Sequence, residues 1–296
     1  MQIITINQSC KVIIWLVLVM LALCFTATAL AAAETAPNTN SQDQAIDKAL
    51  IASLDAATAG PAVIELLDEA TITLPKDFIF IPRKQAAELL AASGNTPSPT
   101  FLGLIMPQDS AFHWFVPVDF VKSGYINDER RQQWQAQDLL TSLQQRTEQS
   151  NKVRAEQGFP TIKITGWQQE PVYQDRQHQL LWSLQGEDSA AYRFVNYNID
   201  VLGRDGYFEF TLLSQNQTLK ASKQEAEQII SSLRFKDGKR YEDFISGTDP
   251  VAKFDLVALV IGEEAAAKSG WKSLLPWLLA LATLAGITII GYIRVR

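Results

Sequence analysis

The strongest constraint on this chain comes from its two ends, which are apolar while the body between them is polar and acidic. Residues 273–293 contain no charged side chain. A helix of that length reaches about 30 Å, which matches the hydrocarbon thickness of a bilayer. Trp277 lies near its start, where an indole favours the membrane interface, and Arg294 and Arg296 follow it directly. We therefore predict a transmembrane anchor at 269–296, with the span at 273–293 and a short cytoplasmic tail.

The N-terminal segment has the pattern of a secretory signal. Lys11 precedes an apolar run at 12–25, and a run of small residues follows at 27–33. Small residues just before a polar stretch are what signal peptidase cleaves, so residues 1–33 are predicted to be a signal peptide. The alternative is an uncleaved membrane span at the same place.

These two segments together predict the orientation of the protein. A signal peptide sends the body across the membrane, and the two terminal arginines then stay inside, as the positive-inside rule requires. We expect a single-pass protein of the cytoplasmic membrane, with residues 70–268 forming one domain on the extracytoplasmic side. Residues 34–69 are expected to form a flexible lead and a short helix.

Charge and cysteine content exclude several classes of function. The net charge is −6, and removal of 1–33, in which Lys11 is the only charged residue, makes the remaining chain more acidic. An acidic body disfavours binding of nucleic acid and of anionic lipid headgroups. Both cysteines, Cys10 and Cys24, lie in the predicted signal peptide. The mature chain would therefore contain no disulfide, thiolate nucleophile or cysteine metal site.

The hydrophobic periodicity of the body predicts an α+β fold with an antiparallel sheet packed with helices. Alternating apolar residues predict strands at 71–74, 78–81, 102–106, 111–120, 161–167, 179–185, 192–202 and 207–213. Helical spacing predicts helices at 51–57, 82–92, 129–157, 220–233 and 249–261. Asp128 is the predicted N-cap of the long third helix. Because the last four strands follow one another without helices between them, they are predicted to pair in antiparallel fashion.

One predicted strand has a clear apolar face. In the segment 111–120, every second residue is large and apolar, and the residues on this face are Phe112, Trp114, Val116, Val118 and Phe120. Such strict alternation indicates a strand with one side packed on a core. His113 would lie on the opposite side.

Nothing in the body matches a known catalytic or metal-binding motif. His113 and His178 lie on separate predicted strands, with no acidic residue at ligand spacing, so we expect no metal and no cofactor. A carboxylate pair for hydrolysis needs two acids close together. The sequence does not show which of the candidate acids would meet, namely Asp175, Glu187, Asp200 and Glu209.

A helical stripe that changes from apolar to polar is less ordinary. Thr147, Asn151 and Arg154 continue the face that begins with Leu140 and Leu143. These polar residues could form a hydrogen-bonded network that fixes the helix on the sheet, or one wall of a binding groove. Arg154 is expected to be partly buried, with Asp200 or Glu148 as its acceptor.

A second polar row lies on the predicted strand 192–202. Asn196, Asn198 and Asp200 share one of its faces, and this face is expected to be a solvated outer surface. The alternative is that this row forms the second wall of the groove. The complete candidate polar patch is Thr147, Asn151, Arg154, Asn196, Asn198 and Asp200.

A series of short motifs gives the chain a family resemblance. They include Gly103 and Pro107, Gly124 and Tyr125, Gly158 and Pro160, Gly166 and Trp167, Asn196 and Asn198, Gly238 and Tyr241, and Phe244, Gly247 and Asp249. Over about residues 70–262 their order and spacing resemble a family of uncharacterised bacterial membrane-anchored proteins, domain of unknown function 2167. The resemblance implies a bacterial origin, a signal sequence, one extracytoplasmic domain and a C-terminal span. It implies no activity and no catalytic residues.

Two functions are consistent with the sequence. The first is a non-enzymatic interaction domain in the bacterial cell envelope, held at the outer face of the inner membrane to bind a protein partner. The alternative is a small-ligand binder or an enzyme that uses the polar face around Asn151, Arg154, Asn196 and Asn198. A single concave pocket lined by these side chains would favour the alternative. A filled interior network would favour the interaction domain.

Overall fold

The computed structural model describes residues 39–109, 114–129 and 134–262. The chain forms two compact units, Met1–Gln44 and Ala45–Arg296. The predicted signal peptide and the predicted span at 273–293 lie outside the described residues, as does His113. No helix in the described part of the chain is both long enough and apolar enough to cross a membrane.

An eight-stranded antiparallel sheet forms the centre of the second unit. In chain order its strands are β1 (Thr58–Ala59), β4 (Phe78–Pro82), β5 (Phe101–Pro107), β6 (Trp114–Val121), β7 (Ile162–Gln174), β8 (Gln179–Asp188), β9 (Arg193–Leu202) and β10 (Tyr207–Gln215). Their order across the sheet is β1-β4-β5-β6-β10-β9-β8-β7. The last four strands pair as consecutive antiparallel neighbours, as the sequence predicts. The α+β class is therefore confirmed.

A smaller sheet and five helices pack around this sheet. The small sheet has the order β11-β3-β2 and consists of β2 (Ala62–Leu66), β3 (Ala70–Leu74) and β11 (Arg234–Phe235). The described helices are α1 (Thr39–Asp55), α2 (Arg83–Ala92), α3 (Ala136–Glu156), α4 (Leu219–Ile230) and α5 (Leu256–Ile261).

The front face of the large sheet, which carries Trp114, Val116, Val118 and Phe120 of β6, is largely apolar. These four side chains join one core cluster with residues of β9 and β10, of α4 and of the small sheet. Phe208 lies at its centre, with its ring centroid 4.7 Å from that of Phe120. The predicted alternation is confirmed for the described residues, because antiparallel pleating sends every second side chain to the same face.

The back face of the large sheet carries two separate apolar clusters. One joins α2 to β4 and β5 through residues such as Leu89 and Leu104. The other joins α3 and α5 to β8 through residues such as Leu143 and Leu184. Neither cluster contains the polar residues of the central strands β6, β10 and β9. Both clusters extend onto β6, one through Phe115 and the other through Val121, so the polar residues of the back face lie between them along the strands.

Three predicted helix starts are wrong, among them those of the long helix and of the last helix. The long helix begins at Ala136 rather than near residue 129, and Asp128 does not cap it. The Asp128 carboxylate instead accepts a hydrogen bond of 2.7 Å from the Tyr173 hydroxyl. The last helix begins at Leu256 rather than at Asp249; Asp255 is its N-cap and accepts a hydrogen bond from the amide of Val257, while Asp249 pairs with Arg204.

The N-terminal lead contains more regular structure than its composition suggests. Helix α1 begins at Thr39, not near residue 51. Ile46 is buried, and Ala49 and Leu50 pack against the α2 cluster, so sparse apolar residues at helical spacing are enough to dock this helix. The strand at Ala62–Leu66 was also missed, because it is short and lies between Pro61 and a turn.

Candidate functional site

The polar end of α3 is bonded to the beginning of the edge strand β7. Asn151 Nδ2 donates to the carbonyl oxygen of Ile162 at 2.6 Å, and the amide nitrogen of Ile162 donates to Asn151 Oδ1 at 2.8 Å. Gln144 Nε2 donates to the carbonyl oxygen of Ile164 at 3.2 Å. Thr147 is buried and donates to the carbonyl of Leu143 within the helix. An edge strand has no neighbouring strand on its outer side. Here the side-chain amides of Asn151 and Gln144 supply hydrogen bonds to the backbone of β7 in its place.

Arg154 is buried, as the helical stripe predicts, but its acceptors differ from those expected. Its Nε donates to the carbonyl oxygen of Pro160 at 2.8 Å. Burial lowers the pKa of Arg154, and the negative charge of Asp188 opposes that shift. The predicted acceptors Asp200 and Glu148 were therefore wrong. The guanidinium ties the C-terminal end of α3 to the turn that leads into β7.

A cleft of about 590 Å³ lies beside this junction. Thr147 and Asn151 are among its lining residues, together with backbone and side-chain atoms of β7 and of the end of β8. None of the three candidate residues on β9 lines it. The structure therefore brings the helix residues Thr147, Asn151 and Arg154 together, but places Asn196, Asn198 and Asp200 elsewhere.

The polar row of β9 is buried rather than solvated. Asn196, Asn198 and Asp200 lie on the back face of the sheet, and each has at most 2% of its surface exposed. Asn198 Oδ1 accepts a hydrogen bond of 2.8 Å from the Thr211 hydroxyl on β10. The expectation of a solvated outer face was wrong, because alternation along one strand cannot show which elements cover each face of the sheet.

The strand register places three carboxylates side by side on this back face. Glu209 of β10 lies opposite Asp200 of β9 and opposite Asp119 of β6. Directly opposed residues on antiparallel strands have Cβ atoms about 5 Å apart. We refer to Asp119, Glu209 and Asp200 as the acid row. Like charges in this arrangement repel one another, so the row favours bound protons over three negative charges.

Asp119 has the most polar surroundings in the acid row. Its Oδ1 accepts hydrogen bonds from the hydroxyls of Ser98 and Thr100, the latter at 3.0 Å. Burial raises the pKa of Asp119, and the two hydroxyl donors and the charge of Arg83 oppose the shift. The carboxyl group at this end of the row is therefore held by two hydroxyl groups and lies near a cation.

Asp200 has the least support. Burial raises its pKa well above the usual range of an aspartate, and the Trp182 indole on the neighbouring strand opposes the shift only in part. Although the indole lies near Asp200, neither Asp200 Oδ2 nor Trp182 Nε1 makes a well-aligned hydrogen bond within the described part of the chain. An ionised carboxylate is costly under these conditions, so the neutral acid is the favoured form.

Glu209 lies between the other two acids. Burial raises its pKa strongly, and the negative charges of Asp200 and Asp119 raise it further. The guanidinium of Arg146 on α3 acts in the opposite direction. Although Glu209 keeps part of its surface exposed, protein atoms surround its carboxyl group closely enough for these effects to dominate.

Part of the acid row could have been found in the sequence. A hairpin closed by the turn Gly203–Gly206 pairs Leu202 with Tyr207, and the same register pairs Asp200 with Glu209. Asp119 was missed, since strand β6 is far away in the chain. The available signal was a single charged residue in an otherwise apolar strand.

A second polar cluster surrounds His178. Its Nδ1 lies 3.6 Å from Asp128 Oδ2 and 3.3 Å from the Tyr173 hydroxyl, and its ring stacks on Tyr241 at a centroid distance of 4.1 Å. The acid beside this histidine comes from a distant segment, so the spacing along the sequence does not reveal it. Within the described ranges, no group of three or more His, Cys, Asp or Glu side chains is placed to hold a metal ion.

Replacement of Asn151 tests the bond between helix and strand. Asn151→Ala leaves the buried N–H and C=O groups of Ile162 without their partner, at a cost of about 1–3 kcal/mol for each group. We expect the free energy of unfolding to fall by about 2–4 kcal/mol in urea titrations. The exposed Gln149→Ala on the same helix is the control and should change stability by less than about 0.5 kcal/mol. Equal effects of the two substitutions would contradict this role of Asn151.

The acid row predicts an unusual dependence of stability on pH. A carboxyl group whose pKa is raised by folding binds more protons in the folded state, so stability decreases as pH rises from its unfolded pKa, about 4, through its folded pKa. Asp200→Asn cannot ionise. We expect this variant to be more stable than the wild type at about pH 8, by about 1 kcal/mol or more, and to show a flatter pH profile above about pH 5.

Urea unfolding at several pH values measures this difference. The matched control is Asp77→Asn, which changes an exposed aspartate in the turn between β3 and β4 and should leave the profile unchanged. A destabilised Asp200→Asn variant at high pH would show that the native state holds the Asp200 carboxylate in its ionised form.

Three solved structures share parts of this fold at low similarity. Cyanobacterial PsbP (CyanoP) from Synechocystis sp. PCC 6803 has 13% identity and a TM-score of 0.35, over 61% of this chain and 91% of that chain. A protein from Bacteroides thetaiotaomicron VPI-5482 has 12% identity and a TM-score of 0.29, over 57% of this chain and 46% of that one. The protein of unknown function PA94 from Pseudomonas aeruginosa has 10% identity and a TM-score of 0.23, over 58% and 94%. Similarity at this level carries no functional argument.

The family comparison is more extensive. Among curated proteins, none matches this chain. One family matches residues 58–291, which is most of the chain and includes the large sheet, the acid row and all helices from α2 to α5. The chain therefore belongs to the family described as Protein of unknown function (DUF2167).

Proposed function

We propose that this protein is a membrane-anchored component of the bacterial cell envelope, and that its α+β domain is a non-enzymatic interaction domain for another envelope protein. In this proposal residues 1–33 are removed as a signal peptide, and 273–293 span the cytoplasmic membrane. The domain, which includes strands β1 and β2 of the predicted lead at 34–69, then lies on the extracytoplasmic side. The uncharged C-terminal run followed by Arg294 and Arg296 supports this orientation.

The observation that carries the interaction role is the use of the polar side chains inside the domain. Asn151 and Arg154 are bonded to the backbone of Ile162 and Pro160, and Asn198 is bonded to Thr211. The two groups of polar residues do not line one shared cavity. Polar groups already bonded to the protein are not available to recognise a small ligand. This arrangement favours recognition through the outer surface of the domain.

One observation favours the second candidate, a small-ligand binder. The cleft beside α3 has a volume of about 590 Å³, and ligand pockets usually measure about 300–1,000 Å³. Thr147 and Asn151 line it, and Glu148 lies at the same wall. This candidate uses only the helix half of the predicted patch. The strongest argument against it is that the Asn151 amide is already occupied by Ile162.

Thiol labelling tests the proposed orientation. We replace Cys10 and Cys24 with serine and introduce single cysteines at the exposed residues Val63 and Ile245. If the domain is extracytoplasmic, a membrane-impermeant maleimide labels Val63→Cys and Ile245→Cys in cells whose inner membrane is intact. Arg296→Cys, at the predicted cytoplasmic end, should be labelled only after that membrane is opened. Protection of both domain positions in intact cells would contradict the proposal.

Site-specific crosslinking tests the interaction role. A photoreactive amino acid at the exposed positions Val63, Val172, Ile245 or Val251 of the full chain should give a discrete adduct with an envelope protein in native membranes. The matched control is the fully buried position Phe101, which should give no adduct. Absence of adducts at every exposed position, together with thermal stabilisation of the protein by a small molecule that Glu148→Lys abolishes, would favour the ligand-binding cleft instead.

A further inference from the structure

One side chain connects the acid row to the C-terminal end of the domain. Arg146 projects from α3, is partly buried, and its charge acts on Glu209 in the middle of the row. The same guanidinium donates a hydrogen bond from Nη1 to the carbonyl oxygen of Ile261. Ile261 is the last residue of α5. Arg146 therefore lies between a group that can change its charge and the end of a helix.

The end of α5 is shaped around this guanidinium. Gly262 caps the helix with a φ of 80°, a left-handed conformation that a residue with a side chain adopts only at a cost. A Cβ atom at this position would overlap the guanidinium of Arg146. An arginine at a helix C-terminus satisfies a carbonyl that has no partner within the helix and complements the helix dipole. Arg146 thus adds a polar contact to the apolar packing of Val260 and Ile261 that attaches α5 to α3.

The charged groups that act on Glu209 come from three elements. Asp200 lies beside it on β9, Asp119 lies beside it on β6, and Arg146 acts on it from α3. Helix α3 packs next to the row, because its Leu143 shares an apolar cluster with Tyr207, two residues before Glu209 on β10. Arg83, at the start of α2, acts on Asp119. The other two acids of the row therefore lie next to Glu209, and Arg146 is the cation that acts on it.

We propose that the acid row is a proton-binding site that controls how firmly α5 is held on the domain, with Arg146 as the connecting group. When the row is protonated, it is neutral, and the guanidinium stays on the carbonyl of Ile261. When Glu209 and its neighbours lose their protons, the negative charge of the row attracts Arg146. The guanidinium then moves towards Glu209, and the last turn of α5 loses its partner.

The energetic conditions for such a switch are present in the row. Burial and mutual repulsion raise the pKa of both Glu209 and Asp200, so protons leave the row above the range in which ordinary carboxyl groups titrate. The three acids titrate as one coupled unit because each charge raises the cost of the next. Deprotonation therefore changes the charge beside Arg146, while the exposed carboxylates of the domain keep their charge.

The position of α5 gives this coupling a consequence for the whole protein. It is the last described element before the proposed span, so its attachment determines how the domain is held next to the membrane. That consequence rests on the proposed membrane anchor. The coupling between the acid row and α5 does not, and the experiment below measures the coupling alone.

Hydrogen exchange of the full chain in detergent micelles tests the proposal. We compare the protection of peptides covering 256–262 between about pH 5.5 and about pH 8.5, after correction for the intrinsic pH dependence of amide exchange. We expect protection of this segment to fall by about tenfold or more as the pH rises, whereas the core strands β5 and β10 change less. Arg146→Gln should show the low protection at every pH.

Variants of the row separate this coupling from a general loss of stability. Glu209→Gln keeps the middle of the row neutral and should hold 256–262 protected throughout the pH range. Asp200→Asn removes a negative neighbour that raises the pKa of Glu209, so it should shift the loss of protection to lower pH. Glu170→Gln, an exposed acid on β7, is the control and should behave as the wild type. A pH-independent wild-type segment, an unchanged pH dependence in Glu209→Gln, or an equal loss of protection in all strands would each overturn the proposal.

Discussion

The register of the three central strands β6, β10 and β9 is the constraint on which the rest of this structure depends. It aligns Val118, Phe210 and Ile199 on the front face, where α4 and the small sheet cover them. The same register necessarily aligns Asp119, Glu209 and Asp200 on the back face. Because side chains alternate with a strict period of two, a shift by one residue would place all the acids in the main core. The front-face core therefore fixes the place of the acid row.

The acid row lowers the stability of the folded state, and this is why it is of functional interest. Buried carboxyl groups with raised pKa values destabilise the folded state at neutral and higher pH, and Asp200 Oδ2 makes no well-aligned hydrogen bond in the described part of the chain. Apolar or amide side chains in these places would be easier to accommodate. Perturbed carboxyl groups concentrate at functional sites, although structural networks also produce them. In this fold the charge of Arg146 acts on the row, and the same side chain donates a hydrogen bond to Ile261 at the end of α5.

The helix α3 has two different roles along its length. At its C-terminal end, Asn151 and Arg154 fix it to the start of β7 and protect the edge of the large sheet. Near its middle, Arg146 reaches α5 and the acid row. Because this end of α3 is fixed, a small displacement of the Arg146 side chain near the middle of the helix can act on α5. The cleft lies at this attachment, since Asn151 and Gln144 are among its lining residues.

The sequence by itself determined most of the elements, the alternation along the strands of the large sheet, the buried stripe of α3 through Arg154, and the hairpin whose register pairs Asp200 with Glu209. These features depend on residues close together in the chain, so local periodicity and turn chemistry are enough to find them. Only the tertiary structure decided that Asp119 joins the acids, that Asn198 is buried rather than solvated, and that Arg154 binds Pro160 rather than Asp200. Each of these depends on pairing or covering by segments distant in the chain, and the packing of the whole domain selects among the possible arrangements.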